Sequence, residues 1–392
     1  MEKGAGRAAL LGPYGGQLRR GRNSSIDRAF YRRPGDAELK LLGVDAARGM
    51  AAMLVLLMHA AACVASPKDY GILPFGGLLS FGRAGVDFFF VLSGFIITYA
   101  HQTDIGRPDR LSRFWRKRLL RIYPAWWVAL FLMGCLLAFS PTKDLAERNI
   151  GHIVSAIFLL PEIPDPILGV GWSLRHEMIF YALFSVLILN RRLGMAVLYT
   201  WMTLILFNLA WAMGAGEPFF TGILDTAFFR VFNIQFFFGI AVAVIIRRYP
   251  PWRPTPILLA GIAVFFANGM FESFGPMIQH EWPPRHLSYG LGAAMILYGL
   301  ATLDRARALR VPAFMLALGT ASYSIYLVHD IALLVMQQLV RRARVYVDFP
   351  IEIAYLILVV TSLTAGLVFS RLIERPMLRA GNQAFVSERR AG

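Results

Sequence analysis

One stretch constrains this chain more than any other: VDAARGMAAMLVLLMHAAAC, an apolar run that holds Asp45, Arg48 and His59. Its length and apolar character predict a helix, and Arg48 and His59 stand eleven positions apart in it. That spacing is close to three whole turns, so both side chains project from nearly one face, separated by a rise of about 16 Å. That rise is about half of a bilayer core. An ionisable side chain at such depth is costly to hold and marks a functional site by default. The plainer alternative is a core histidine hydrogen-bonded to a neighbouring helix.

Composition sets the class. Of 392 residues, 57% are hydrophobic and 16% charged, where a soluble domain carries about a quarter charged residues. The apolar residues fall in blocks long enough to span a bilayer. Most are apolar all round, without the 3.6-residue patterning of a soluble helical core. The fold class is therefore all-α, a polytopic transmembrane bundle. Ten spans are expected, near 46–65, 83–100, 122–139, 172–189, 195–213, 228–246, 256–271, 287–303, 313–338 and 351–373. They form one membrane domain over 39–376. It lies between a disordered basic tail at 1–38, Gly- and Arg-rich and unlike a signal peptide, and a short tail at 377–392.

The net charge of +16 resides mainly in loops and tails. In a membrane protein that placement orients the chain and meets anionic lipid; it does not point to nucleic acid. Nine Lys and Arg precede position 46 and seven more lie in 101–121, so both termini are expected in the cytoplasm. Arg341, Arg342 and Arg344, in an outer connection, run against that pattern. Cys63 and Cys135 have no metal-ligand spacing and are read as packing residues. In the long outer connection, Ile150–Leu160 is expected flat at the interface. The PEIPDP run after it is held extended by its prolines, a lid over an outward-facing site.

The remaining ionisable residues sort by depth. In FGRAGVDFFFVLSGF, Asp87 follows Arg83 by one turn, which allows an internal ion pair. Ser93-Gly94 offers a small face for close helix approach. RFWRKRLLRIYPAWW carries Arg113, Arg116, Lys117, Arg118 and Arg121. These are either a positive-inside anchor or a clamp on a phosphate-bearing ligand, because guanidinium forks match phosphate oxygens. In GWSLRHEMIFYALF, Ser173, Glu177 and Tyr181 share one stripe beside Trp172, and in ASYSIYLVHD Ser322, Tyr326 and His329 share another, with Asp330 next. His59, Asp87, Glu177 and His329 fall in the outer half, and Arg48 and the 113–121 cluster on the inner side. The result is a two-ended site: cations for a cytosolic anionic donor, acid/base groups for an outer acceptor.

These motifs resemble the acyltransferase-3 family of bacterial membrane O-acyltransferases, which modify O-antigen, exopolysaccharides and nodulation factors. VDAARGMAAMLVLLMH is similar to the family's LDGLRGxAxxxVxxxH opening, with Ala46-Ala47 in place of the common Gly-Leu. GVDFFFVLSGFIIT, the Arg-rich segment ending in Pro124, W-S-L-x-x-E-x-x-F-Y, ASYSIYLVH and the closing IERP follow in the family's order, from about residue 41 to 376. The resemblance implies ten spans in the bacterial inner membrane and a cytosolic acyl-CoA, most often acetyl-CoA, as co-substrate without a metal. It implies that His59 is the essential histidine, Arg48 its paired arginine and Glu177 the acidic residue. The partners it implies are an exported polysaccharide or lipid-linked glycan. Sixteen residues follow IERP, so a soluble second activity is expected from a partner, such as a polysaccharide synthesis or export protein.

The expected chemistry is general-base catalysis of thioester transfer. His59 takes the hydroxyl proton, oriented by Glu177 or Asp87, or carries the acyl group itself. Arg48, Arg113, Arg116, Arg118 and Arg121 hold the coenzyme phosphates. Trp172, Ser173, Tyr181, Tyr326 and His329 contact substrate, with Ser173, Tyr181 or Tyr326 donating to the oxyanion. Two other readings use the same residues: a proton-coupled transporter or flippase, and a non-catalytic subunit of a polysaccharide synthesis complex.

Overall fold

The computed structural model describes residues 41–138, 150–161, 166–275, 285–344 and 349–391. The basic arm at 1–38 and residues 162–165 of the Pro-rich turn lie outside them. Among the described residues there is no strand, and ten helices are long and apolar enough to cross a membrane. The helices are α1 (Leu42–Val64), α2 (Ala84–His101), α3 (Leu111–Ala138), the short α4 (Ile150–Phe158), α5 (Gly171–Leu189), α6 (Arg191–Ala215), α7 (Ile234–Arg248), α8 (Pro254–Phe274), α9 (Arg285–Arg305), α10 (Ala313–Arg342), α11 (Ile351–Phe369) and α12 (Arg375–Ala391).

The helices that carry the site lie in close pairs, α1 on α10 and α2 on α7. Two glycine contacts bring them together. A Cβ on Gly49 would meet the Gly319 amide, and one on Gly319 would meet the Asp45 carbonyl. A Cβ on Gly94 would run into Phe236 O, and one on Gly239 into Val91 O. Small residues let backbones approach where water supplies no driving force between helices. The start of α1 is fixed by Asp304, whose carboxylate accepts from Gly43 N at 3.0 and 2.8 Å and from Val44 N at 3.2 Å. This places a negative charge on otherwise unpaired N–H groups at the positive end of the helix.

Three expectations change. The Arg-rich segment is not a loop but the first turns of α3, with Pro124 inside the helix. The end of α4 docks on α3: Tyr123 Oη donates to Phe158 O at 2.7 Å, Trp126 Nε1 to Ala156 O at 2.9 Å and Trp127 Nε1 to Ile157 O at 3.0 Å. Those donors sit mid-α3, about 17–22 Å short of its Ala138 end, while Ile150, Ile153, Val154 and Phe158 of α4 stay exposed. Its terminal carbonyls, which apolar surroundings cannot satisfy, are taken by ring N–H and O–H groups. The sixth span is interrupted, running as a π-helical stretch Leu224–Phe229, an extended Arg230 and a turn Val231–Asn233 before α7. Trp201, Asn208 and Asn233 side chains bond the carbonyls that this break frees. The segment after Pro376, read as a tail, is helical as α12, because Leu378 and Gly381 form one inward edge; Gly381 packs on Leu120. Arg341, which ran against the charge pattern, forms a two-point pair with Asp69 at 2.5 and 2.6 Å.

Candidate active site

Two cavities lie end to end in the bundle. The first, about 400 Å³, is lined by Arg48, Lys117, Arg118 and Arg121 together with Ser93, Glu177 and Tyr181. The second, about 460 Å³, is lined by His59, Asp87, Trp172, His286 and Asp330, with Pro166 and Gly169 of the Pro-rich connection. Val86 and Tyr326 line both and form the divide. The eleven-residue spacing from Arg48 to His59 thus places one in each cavity.

In the first cavity the cations are tied in place. Arg48 donates from Nε to Ser322 Oγ at 2.8 Å and from Nη2 to Gly319 O at 2.7 Å. Arg121 pairs with Glu374 of the IERP motif at 2.6 Å and lies over the Tyr323 ring. Arg118 donates to His101 Nε2 at 3.2 Å, and His101 Nδ1 donates to Asp104 at 2.8 Å. Arg113 and Arg116 do not line this cavity: Arg116 opens instead on a lateral groove with Trp115 and Trp127. Helical spacing turns Arg116 to the face away from Arg118 and Arg121, while Arg113, on the same face as Lys117, lies one turn back toward the start of α3. Leu378 and Asn382 of α12 also line the cavity.

Glu177 accepts from Ser93 Oγ at 2.9 Å and makes a short bond with the Tyr181 hydroxyl. It does not reach His59, and neither does Asp87. Asp87 accepts from His286 Nδ1 at 2.8 Å and Gln235 Nε2 at 2.7 Å, while Arg83 turns to Glu272 at 3.4 Å. The partner of His59 is His329, with Nδ1 to Nε2 at 2.8 Å and the rings stacked at 4.9 Å. Asp330 Oδ1 lies 3.2 Å from His329 Nε2 and 3.9 Å from His59 Nδ1.

Hydrogen bonding fixes the tautomer of His329 and, for a neutral His329 ring, that of His59. His329 Nδ1 lies 2.7 Å from the Tyr326 carbonyl, which only accepts, so Nδ1 carries the proton. In the neutral ring, Nε2 is then an acceptor and must receive His59 Nδ1–H. That leaves His59 Nε2 with its lone pair on a ring that lines the second cavity. If a proton arrives there, the imidazolium rests on His329, with the Asp330 carboxylate behind it. The expected oxyanion donors are otherwise engaged. Ser173 donates to Val170 O at 3.0 Å, the Tyr326 hydroxyl lies 2.6 Å from Ser173 Oγ, and Tyr181 serves Glu177.

His59, His329 and Asp330 also offer ligand atoms within 4.8 Å of one another, a donor set that suits zinc. An ion there would occupy the proton path of the pair. We therefore expect activity to survive millimolar EDTA and to fall on addition of Zn²⁺. Loss in EDTA with restoration by Zn²⁺ would make the cluster a metal centre instead.

The chain matches the Acyltransferase domain model of the acyltransferase-3 family over residues 41–373. It is 29% identical over 332 residues to the exopolysaccharide production protein ExoZ of Rhizobium meliloti, covering 81% of this chain and 96% of that one. It is 26% identical over 375 residues to the putative membrane-bound transacylase BcsY of Komagataeibacter xylinus, covering 89% and 86%. The O-acetyl transferase of Shigella phage Sf6 is 24% identical over 250 residues, 60% of this chain and 71% of that one. No solved structure matches it. With its ten apolar helices and this match over most of its length, the chain belongs to the acyltransferase-3 family of multi-pass membrane acyltransferases.

Proposed function

We propose that this protein transfers an acyl group, most simply acetyl, from cytosolic acyl-CoA to a hydroxyl of an exported polysaccharide or lipid-linked glycan. It does so in the bacterial inner membrane, with both termini and the first cavity facing the cytoplasm. One observation carries the reading: a cation-lined cavity and a histidine-lined cavity meet end to end at Val86 and Tyr326. The kinship to ExoZ, named for exopolysaccharide production, supports a polysaccharide acceptor, and that to the putative transacylase BcsY supports acyl transfer.

In this reading Arg48, Lys117, Arg118 and Arg121 hold the coenzyme phosphates. The thioester arm extends past Tyr326 toward His59, about 16 Å along α1. His59 Nε2 takes the proton of the acceptor hydroxyl as its oxygen bonds to the thioester carbon. The tetrahedral adduct then expels the thiolate, which receives that proton back from His59. The ester remains in the second cavity and the free thiol in the first. General-base assistance of this kind is worth roughly 10²–10⁴-fold.

The interrupted sixth span is the observation that favours a transporter, since broken helices line transport sites. Purified protein in detergent separates the two. Given acetyl-CoA and deacetylated cell-surface polysaccharide, an acyltransferase releases free thiol in proportion to ester formed. A transporter or a non-catalytic subunit releases none.

A further inference from the structure

The second cavity holds another imidazole that the transfer chemistry above does not use. His286, at the start of α9, lines it together with His59. His286 Nδ1 donates to Asp87 Oδ1 at 2.8 Å, and Gln235 Nε2 donates both to that oxygen at 2.7 Å and to the His286 carbonyl at 2.6 Å. Asp87, Gln235 and His286 are all buried, at 3%, 0% and 6% exposure. The ring is held edge-on by Phe232 at 4.4 Å. Gly290 leaves the space that the Gln235 amide fills, since a Cβ there would collide with its oxygen. Four elements, α2, the Val231–Asn233 turn, α7 and α9, thus converge to fix one ring.

This much support fixes the tautomer. A carboxylate is an acceptor, so His286 carries its proton on Nδ1 and keeps a lone pair on Nε2. That lone pair wants a donor, and a sugar hydroxyl is one. The two imidazoles differ in setting. The His59 side chain is 37% exposed and hydrogen-bonded to a second histidine, as suits a group that gains and loses a proton. The His286 side chain is 7% exposed and clamped, as suits a group that recognises. Trp172 and Phe232 line the same cavity and give it the aromatic surface on which a sugar face packs.

We infer that His286, held by Asp87 and Gln235, is the acceptor-recognition residue, its Nε2 taking a hydrogen bond from a second hydroxyl of the sugar unit that is acylated. The inference rests on the acyltransferase reading and names what the second cavity selects: a sugar unit with at least two free hydroxyls, one for each imidazole. A buried polar group built to meet a substrate hydroxyl discriminates strongly against molecules that lack it, because it is then left unpaired.

The test uses the full-length protein in detergent, acetyl-CoA, and deacetylated surface polysaccharide from cells lacking this protein, with thiol release as readout. His286→Asn keeps an N–H toward Asp87 and removes the acceptor in the cavity. We expect its KM for polysaccharide to rise about 10- to 100-fold, with kcat within about threefold and the KM for acetyl-CoA unchanged. His286→Gln carries an amide oxygen out to the place of Nε2 and is expected to keep the polysaccharide KM within about fivefold of wild type. A fall in kcat at unchanged KM, an unmoved polysaccharide KM in H286N, or a parallel rise in the acetyl-CoA KM overturns the inference. If H286N does not fold, His286→Ala, which also removes the acceptor, takes its place with the same expected rise in polysaccharide KM and the same overturning results; a kcat loss beyond about 100-fold in H286Q marks proton transfer instead of recognition. Failure of the wild type to release thiol overturns the acyltransferase reading, and this inference with it. Release insensitive to His286 overturns the inference only.

Discussion

Replacing His59 by glutamine is expected to lower acyl transfer by about 10³-fold, within the range for loss of a positioned general base. Glutamine preserves a hydrogen bond at the ring's position but has no lone pair basic enough to accept a proton. The His59 side chain is 37% exposed to its cavity, so the change removes little packing. The variant should reach the membrane and elute from size exclusion as the wild type does. His329→Gln should produce a smaller loss in kcat. It leaves His59 basic but takes away the ring on which the imidazolium rests, along with the nearby link to Asp330. Equal losses in both variants would mean that the pair acts as one unit. H59Q activity within tenfold of wild type would remove His59 from the chemistry.

Replacing Arg121 by alanine is expected to destabilise the whole bundle, by about 3 kcal/mol, the low end for breaking a buried ion pair. Glu374 is 2% exposed and accepts from Arg121 at 2.6 Å, from Ser370 at 3.4 Å and from Ser324 in a short bond. Without the guanidinium its charge is buried against two hydroxyls. The pair joins α3 to the end of the last span, so the loss should appear as a drop in detergent melting temperature. The double variant R121A/E374Q removes the stranded charge and should recover most of that temperature. It should not recover donor affinity, because Arg121 also lines the first cavity. A double variant no more stable than R121A would show that the ion pair is not what holds these elements together.

The all-helical bundle was legible because lipid leaves few choices: apolar blocks of sufficient length must be helices. The depth ordering of Arg48 and His59 was legible for the same reason, since a helix converts sequence separation directly into height. The stripe Ser173–Glu177–Tyr181 and the small face at Gly94 follow from helical spacing too, and both occur. Lateral neighbours were not legible. His329 lies 270 positions from His59 in sequence and meets it only because Gly49 and Gly319 let α1 and α10 approach. Asp87 has its basic partner, His286, 199 positions away. Nothing in either local sequence distinguishes that partner from Arg83, one turn before Asp87. Arg113 and Arg116 were placed with the phosphate clamp as members of one basic run; in the continuous helix through Pro124 Arg116 faces away from Arg118 and Arg121, and Arg113 lies a turn short of Lys117. The interruption at Arg230 has no glycine to announce it and is held by side chains from α6 and the turn before α7.

The divide at Tyr326 has a consequence for the cell. A passage wide enough for a thioester arm is wide enough for water, and a file of water conducts protons. Left open, it would leak protons across any energised membrane that holds the protein. The Tyr326 ring, braced edge-on by Phe89 at 5.5 Å and tethered to Ser173 at 2.6 Å, stands where a stopper is needed. On the acyl-transfer proposal this same ring stands where a thioester arm would pass, so donor entry and insulation would be controlled at one side chain.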